Sequence, residues 1–454
     1  MDESTNTSLS LLTIQGLISH QIPPSLVVSV SLLAPGDRCI ANSSVDVLSY
    51  INTGTEGVYI WSHSYCIRNI YFLPKKRNPT RSMQKGTFSV VKKLFLLVVL
   101  LAVAIPIRYG TTDYQHLTLR CLHSILIMKH QLLTDHLRPT LSAEYRAFEN
   151  LIRLKPVAKI DSSADPVAVV QELRDNFAFD VIIPMPSQCQ LDKEVFQYNG
   201  RSVDAFWVQH HQYKLQKNSD KILIYVHGGG FVAGNIQKYG GFVCHLSRAF
   251  NITVLFVEYH LSPEHQYPAG VEDTITVYRK LLQNDVSPSQ LIVMGDSAGG
   301  GLTLLTIQGL INRQLPVPRG VMVLSPWADL STSGESYKRN RDMDIVADID
   351  NFRWILSLLL GRDHSSDSYV DPNLSPLHGS FQGFPSMYVN VGTAELLEDD
   401  SRQVAKKAQE AGVNVTIELG AHLMHDYPMF FSYFPEAQTT LNNMKRWVQT
   451  VFTK

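Results

Sequence analysis

The stretch Leu291-Ile292-Val293-Met294-Gly295-Asp296-Ser297-Ala298-Gly299-Gly300-Gly301 decides how the rest of the chain is read. Its first four residues are apolar and predict a buried strand. Gly295 to Gly299 then fit the G-x-S-x-G pattern of a nucleophile elbow, in which a serine sits on a sharp strand-to-helix turn with its hydroxyl exposed above the sheet. Leu302 to Ile311 is apolar enough for a packed helix. Gly295 and Gly299 lack Cβ atoms, so strand and helix can approach closely. The N–H of Ala298, at the start of that helix, points where an anion would form. The motif alone is weak, because a glycine-rich helix start needs no chemistry, so its surroundings must decide.

Outward from the elbow, strands and helices alternate. Ile222–Val226, Thr253–Glu258, Leu291–Met294, Val321–Leu324, Met387–Val391 and Val413–Glu418 read as strands. Helices are expected at 237–249, 268–284, 298–312, 400–411 and 435–451. Upstream, Glu194–Tyr198 and Val203–Gln209 alternate like half-buried strands joined by Asn199-Gly200, a hairpin signal. Apolar strands alternating with helices predict an α/β fold with a mostly parallel sheet covered on both faces. The catalytic domain is placed at 191–454. Residues 108–190 read as a helical cap region, with helices over Tyr114–His136, Leu141–Leu154 and 163–176. The insertion between 327 and 383, with a helix at 349–360, is a second cap candidate.

In an open parallel sheet, ligands bind at the carboxyl ends of the strands. Three groups fall there. His227-Gly228-Gly229-Gly230-Phe231 follows the first parallel strand, and a glycine run there can turn backbone N–H groups toward an oxyanion. Glu395 follows strand 387–391 and is the candidate acid. Asp399 and Asp400 are expected to charge the first turn of helix 400–411. His422 and His425 follow the last strand, and His425, just before the final helical region, is the better candidate base. The order Ser297, Glu395, His425 is that of α/β-hydrolases. It predicts acyl transfer with the N–H groups of Gly229, Gly230 and Ala298 as oxyanion donors, and requires neither metal nor organic cofactor.

At this point a resemblance can be named. His227-Gly-Gly-Gly230, Gly295-Asp-Ser-Ala-Gly299, Tyr259-His-Leu-Ser-Pro-Glu-His-Gln-Tyr-Pro-Ala269, Ser325-Pro-Trp-Ala-Asp329 and Asp371-Pro-Asn-Leu-Ser-Pro-Leu377 resemble the hormone-sensitive-lipase-like family of α/β-hydrolase esterases. The match runs over about 194–450. It implies an eight-stranded sheet, a helical cap, carboxylester hydrolysis, and Gly229 and Gly230 as oxyanion donors. The chain departs from the family in two places. Its acid is Glu in Glu395-Leu-Leu-Glu-Asp399, where Asp is usual, and the sequence around the histidine reads His425-Asp426-Tyr427 instead of His-Gly-Phe. Glu264, Asp329 and Asp371 are expected to be buried carboxylates bonded to backbone N–H groups, and Asp296 to brace the turn.

The 454 residues suffice for one large α/β domain with extensions. A net charge of −1 gives no sign of a polyanionic partner, so nucleic acid is not expected. Cys39, Cys66, Cys121, Cys189 and Cys244 show no metal-type spacing, and no pairing is assigned. Residues 1–85 are rich in Ser, Thr and Asn and lack a sustained period. They carry Leu11-Leu-Thr-Ile-Gln-Gly-Leu-Ile18, identical to Leu304–Ile311, which reads as a partial duplication without an elbow. Residues 88–107 hold an uncharged apolar run, Leu94–Ile107, behind Lys75, Lys76, Arg77, Arg81, Lys85, Lys92 and Lys93. That arrangement predicts a membrane anchor or signal segment, with the catalytic domain in the endoplasmic-reticulum lumen. A cytoplasmic or secreted protein is the alternative. The expected function is hydrolysis of small or medium acyl esters, with a small lipophilic ester as partner. A lactone hydrolase, a deacetylase and an acylglycerol lipase would share the triad. A non-catalytic binding protein of the same fold would lack a triad member or an oxyanion glycine, and none is missing. The fused-looking N-terminus leaves a nonfunctional gene product as the last competitor.

Overall fold

The computed structural model describes residues 53–54, 57–58, 60–62, 65–67, 113–132, 138–155, 160, 165–210, 221–361 and 366–453. The chain divides into two units, Met1–Val103 and Ala104–Lys454. The first contains two short antiparallel pairs, Thr53–Gly54 with Gly57–Val58 and Ile60–Ser62 with Tyr65–Ile67. The N-terminal copy of the repeat and the expected anchor at 88–107 lie outside the described residues. Among the described residues, no helix is long and apolar enough to cross a membrane.

The second unit is built on an eight-stranded sheet. In chain order its strands are β1 (Cys189–Tyr198), β2 (Arg201–His210), β3 (Ile222–Val226), β4 (Thr253–Glu258), β5 (Leu291–Asp296), β6 (Gly320–Leu324), β7 (Ser386–Gly392) and β8 (Val415–Gly420). Their spatial order is β1-β2-β4-β3-β5-β6-β7-β8. β2 pairs antiparallel with both β1 and β4, and the remaining pairings are parallel. The β1–β2 hairpin turns at Asn199 and Gly200, whose φ values of 48° and 78° suit a two-residue turn matched to the twist of the strands. The hairpin runs longer than the apolar alternation suggested, because ladder bonds continue through the half-exposed residues Cys189–Lys193 at the sheet's edge.

The buried runs of the central strands follow from their place in the sheet. Along β3, Ile222, Ile224 and Val226 join one hydrophobic cluster and Leu223 and Tyr225 the other. The period of two in a strand sends successive side chains to opposite faces, so a strand covered on both sides must be apolar throughout. Helices α5 (Ala269–Gln283), α6 (Ser297–Asn312) and α8 (Glu398–Glu410) cover the first face. Helices α4 (Ile236–Phe250) and α9 (Pro435–Thr453) cover the second. A disulfide joins Cys189 of β1 to Cys244 of α4, a pairing the sequence left unassigned.

Among the described residues, the three longer helices ahead of the sheet divide between two tasks. α1 (Tyr114–Leu132) and α2 (Ala143–Arg153) brace the segment after β8. Phe148 packs on Phe430, Tyr433 and Phe434, and Ser142 donates to Glu436. α3 (Pro166–Asn176) and α7 (Ile349–Leu360) instead meet over the loop that follows β3, where Val170, Val232, Ala233 and Leu358 form a small cluster of their own. Among the described residues, α3 and α7 are the expected cap elements that lie against that loop.

Candidate active site

Strand β5 ends at Asp296, and Ser297 follows with φ 51°. That left-handed conformation is unfavourable for a serine and persists only where its surroundings enforce it. Here they do. Ser297 O accepts from Trp327 N (3.0 Å). A Cβ on Gly299 would fall on the carbonyl oxygens of Val226 and His227, so only glycine lets α6 approach β3 this closely. Asp296 braces the turn, as expected. It accepts from Tyr225 Oη (2.6 Å), Gly228 N (3.0 Å) and Tyr239 Oη (3.1 Å). Burial pushes its carboxyl up to about 7, with Asp426 adding to the rise and these hydrogen bonds opposing it.

The loop after β3 is folded by its histidine. His227 is fully buried between Phe256 (ring centroids 5.2 Å apart) and Tyr259 (4.3 Å), and Nδ1–H donates to Gly228 O (2.7 Å). Burial lowers its pKa to about 4, so it is neutral and shapes the loop without joining the chemistry. Gly229, at φ 99°, reverses the chain, and its carbonyl accepts from Val232 N and Ala233 N. The N–H groups of Gly229 and Gly230 find no acceptor among the described residues, nor does that of Ala298 in the first turn of α6. Such free donors are what an oxyanion site requires.

Glu395 and His425 arrive on the loops after β7 and β8. His425 Nε2 lies 2.9 Å from Ser297 Oγ, and Nδ1 lies 2.5 Å from Glu395 Oε2. Glu395 is fully buried. Its other oxygen accepts from Gly392 N (2.7 Å) and Ser325 Oγ (2.8 Å). The extra methylene of glutamate is taken up by a carboxylate that folds back on its own turn. His422, the rival candidate, is exposed, and its N–H donates to Thr393 Oγ1 (2.8 Å) away from the nucleophile.

Of the other carboxylates, some keep their expected roles and some depart from them. Asp329 is buried and accepts from the N–H groups of Ser331 and Ser333, as anticipated. Glu264 is half-exposed and forms a bidentate pair with Arg174 of α3 (2.7 and 2.8 Å). Asp371 is exposed and caps its own turn through Asn373 N. Asp400, expected to charge a helix start, is fully buried; it accepts from Ala328 N, Asp329 N and Tyr337 Oη and so ties α8 to the loop after β6. Asp399 accepts from Ser336 N (2.8 Å). Two further residues bear on the site. Arg174, which sequence reasoning passed over, donates to Val232 O and Ser262 O, and Asp426, noted in the sequence only as a departure from the family pattern, lies beside His425. Among the described residues, no group of three or more His, Cys, Asp or Glu could hold a metal ion.

With this geometry in view, the comparisons are consistent. A family model described as alpha/beta hydrolase fold matches residues 223–429. An acetyl-hydrolase of Streptomyces hygroscopicus is 31% identical over 235 residues, covering 52% of this chain and 77% of the relative. The chain belongs to the hormone-sensitive-lipase-like α/β-hydrolase esterases. An esterase of Acinetobacter venetianus is 28% identical over 277 residues, 61% of this chain and 90% of that one. Among solved structures, an esterase from the bacterial hormone-sensitive lipase family shares 29% identity at a TM-score of 0.59, over 68% of this chain and 99% of the other. This hydrolase is accordingly a carboxylic ester hydrolase, and its sheet of eight strands, with helices on both faces, is that of the family.

Proposed function

We propose that the protein hydrolyses small carboxylic esters of short or medium acyl chains through an acyl-enzyme, with Ser297 as nucleophile, His425 as base and Glu395 as its acid. The observation that supports this most is the position of His425, one ring nitrogen in hydrogen-bond reach of Ser297 Oγ and the other of Glu395. His425 Nε2 takes the hydroxyl proton as Ser297 Oγ attacks the ester carbonyl, while Nδ1–H stays bonded to Glu395. The tetrahedral oxyanion accepts from the N–H groups of Gly229, Gly230 and Ala298, and losing one such donor costs roughly 10²–10³ in turnover. Its collapse breaks the carbonyl–alkoxide bond, and the alcohol leaves with the proton from Nε2. Water, activated by the same nitrogen, then releases the acid and restores Ser297.

Apolar side chains pack against the glycine loop. Ile355 of α7 sits against Gly230, and Trp327 stacks on Phe352 at 4.3 Å beside Phe231. The relative named acetyl-hydrolase points to the short end of the acyl range. The test is turnover of p-nitrophenyl esters of increasing chain length by the full chain and by Ser297→Ala. The variant should lose roughly 10⁴-fold or more in kcat while keeping its thermal midpoint. Near-normal turnover by Ser297→Ala would remove the nucleophile, and rates that climb steadily into long chains would remove the substrate class.

A further inference from the structure

Behind the histidine lies a carboxylate that the triad does not use. Asp426 has φ 51° and ψ 31°, a left-handed conformation that turns its side chain back onto its neighbour. Asp426 Oδ2 is 3.1 Å from His425 Nε2, the same nitrogen that reaches Ser297 Oγ at 2.9 Å. Asp426 Oδ1 is buried and finds no hydrogen-bond partner among the described residues. The backbone of Asp426 is locked into the site: its N–H donates to Ser325 Oγ (3.1 Å), and that hydroxyl donates to Glu395 Oε1 (2.8 Å). Its carbonyl accepts from Met429 N (3.0 Å).

This placement has a chemical consequence. With its proton on Nδ1, a neutral imidazole presents a lone pair at Nε2, and an ionised carboxylate oxygen at this distance repels it. An imidazolium presents an N–H there, which Asp426 and Ser297 can both accept. Two further carboxyls favour the second state when ionised, although burial raises the pKa of each: Glu395 meets Nδ1 from the turn after β7, and Asp344 approaches from the loop ahead of α7. Asp296, at the end of β5, lies beside Asp426 and opposes a second charge there. Asp344 accepts from Leu396 N, Val346 N and Ala347 N, and Asp296 from Tyr225, Gly228 N and Tyr239. Burial alone would discharge the ring, but Asp426 and Glu395 outweigh it and hold its pKa well above the ordinary histidine value.

We propose that Asp426 is a positioning residue acting through His425: as a second carboxylate on Nε2, it keeps the imidazole of the free enzyme protonated through neutral pH, so that ester turnover switches on only as the medium becomes alkaline. This rests on the triad reading. The base can take the Ser297 proton only after Nε2 has released its own, so the acid limb of kcat/KM reports this ionisation in the free enzyme. The same contact favours the imidazolium formed during attack, so Asp426 trades activity at neutral pH for support of the charged intermediate.

The experiment is the pH dependence of kcat/KM for p-nitrophenyl acetate, from about pH 5 to about pH 10, in the wild type, Asp426→Asn and Asp426→Gly. Both replacements tolerate a left-handed backbone. The acid limb of the wild type should lie above neutrality and move down by about one pH unit or more in both variants, which raises their activity at acid pH about tenfold relative to the alkaline plateau. Superimposable acid limbs would overturn the proposal. Variants too slow to profile are read by nuclear magnetic resonance titration of His425 in a Ser297→Ala background, where the ring must titrate at lower pH once Asp426 is replaced. An unchanged titration there also overturns it. The two readings fail separately. Turnover by Ser297→Ala would sink the triad whatever Asp426 does, whereas a dead Ser297→Ala with unmoved acid limbs sinks only the role of Asp426.

Discussion

The elbow and the histidine arm of the site are held in place by different means. Around Ser297 the fit is between backbones: glycine Cα atoms lie against carbonyl oxygens, and a strained φ is locked by strand and helix on either side. Around His425 the fit is between side chains. Glu395, Ser325 and Asp426 form a ring of hydrogen bonds at the tips of three loops. A backbone fit admits almost no substitution, because nothing can rotate out of the way. A side-chain network can lose a member and leave the fold standing. Damage to the elbow should therefore appear as lost stability, and damage to the histidine arm as lost rate.

The harshest way to break this contrast is Gly299→Val. Its Cβ would fall on the carbonyl oxygens of Val226 and His227, the last residue of the central strand and the first of its loop, which cannot retreat. A cost of about 4 kcal/mol or more is expected, enough to leave little soluble folded protein when thermal unfolding is followed by circular dichroism. A stable, folded Gly299→Val would show that α6 can lift away from β3. Next is Glu395→Gln. The amide fills the same volume but cannot accept both Ser325 Oγ–H and the Gly392 and His425 N–H groups, and it carries no charge to balance an imidazolium. We expect kcat to fall roughly 10²–10⁴-fold with a thermal midpoint within a few degrees of the wild type. Asp399→Asn, whose carboxylate bonds Ser336 N and Arg339 among the described residues, should change kcat less than about threefold. Equal losses from the two substitutions would remove Glu395 from the acid's role.

The same contrast explains what could be read in the sequence. The α/β order, the elbow, the glycine loop, Glu395 and His425 were legible because each follows directly from a strand end, and strand ends announce themselves by apolar runs and turns. Element ends moved by a few residues, as at β8, where ladder bonds carry the strand to Gly420, beyond its apolar stretch. The ring around His425 was not legible. Asp426 could be seen to depart from the usual glycine, but its approach to Nε2 depends on a left-handed backbone that an aspartate adopts only when tertiary structure requires it. Asp400 resembles any acidic first-turn residue until the loop after β6 folds over it. The Cys189–Cys244 bridge spans 55 residues, and nothing local marks either partner.

The smallest effect falls at the seam between cap and site. Arg174, on α3, donates through Nε to Val232 O (2.8 Å), through one terminal nitrogen to Ser262 O (3.1 Å), and through both to Glu264, residues 58 to 90 positions away. It ties the cap helix to the end of the glycine loop by hydrogen bonds, yet it is about one-quarter exposed and its partner about half exposed. Water and salt screen such a pair, so its direct contribution to stability is within about 1 kcal/mol. Its effect on rate comes from holding Val232, three residues beyond Gly229, against α3 and α7. Arg174→Ala should raise KM and lower kcat each by less than about tenfold, with Arg174→Lys little better, because an ammonium cannot span three acceptors in one plane. The deficit of Arg174→Ala relative to wild type should narrow in high salt, where the wild-type pair is itself weakened. A loss of several hundredfold would mean that the glycine loop is held by side chains after all, which would make the two arms of the site alike.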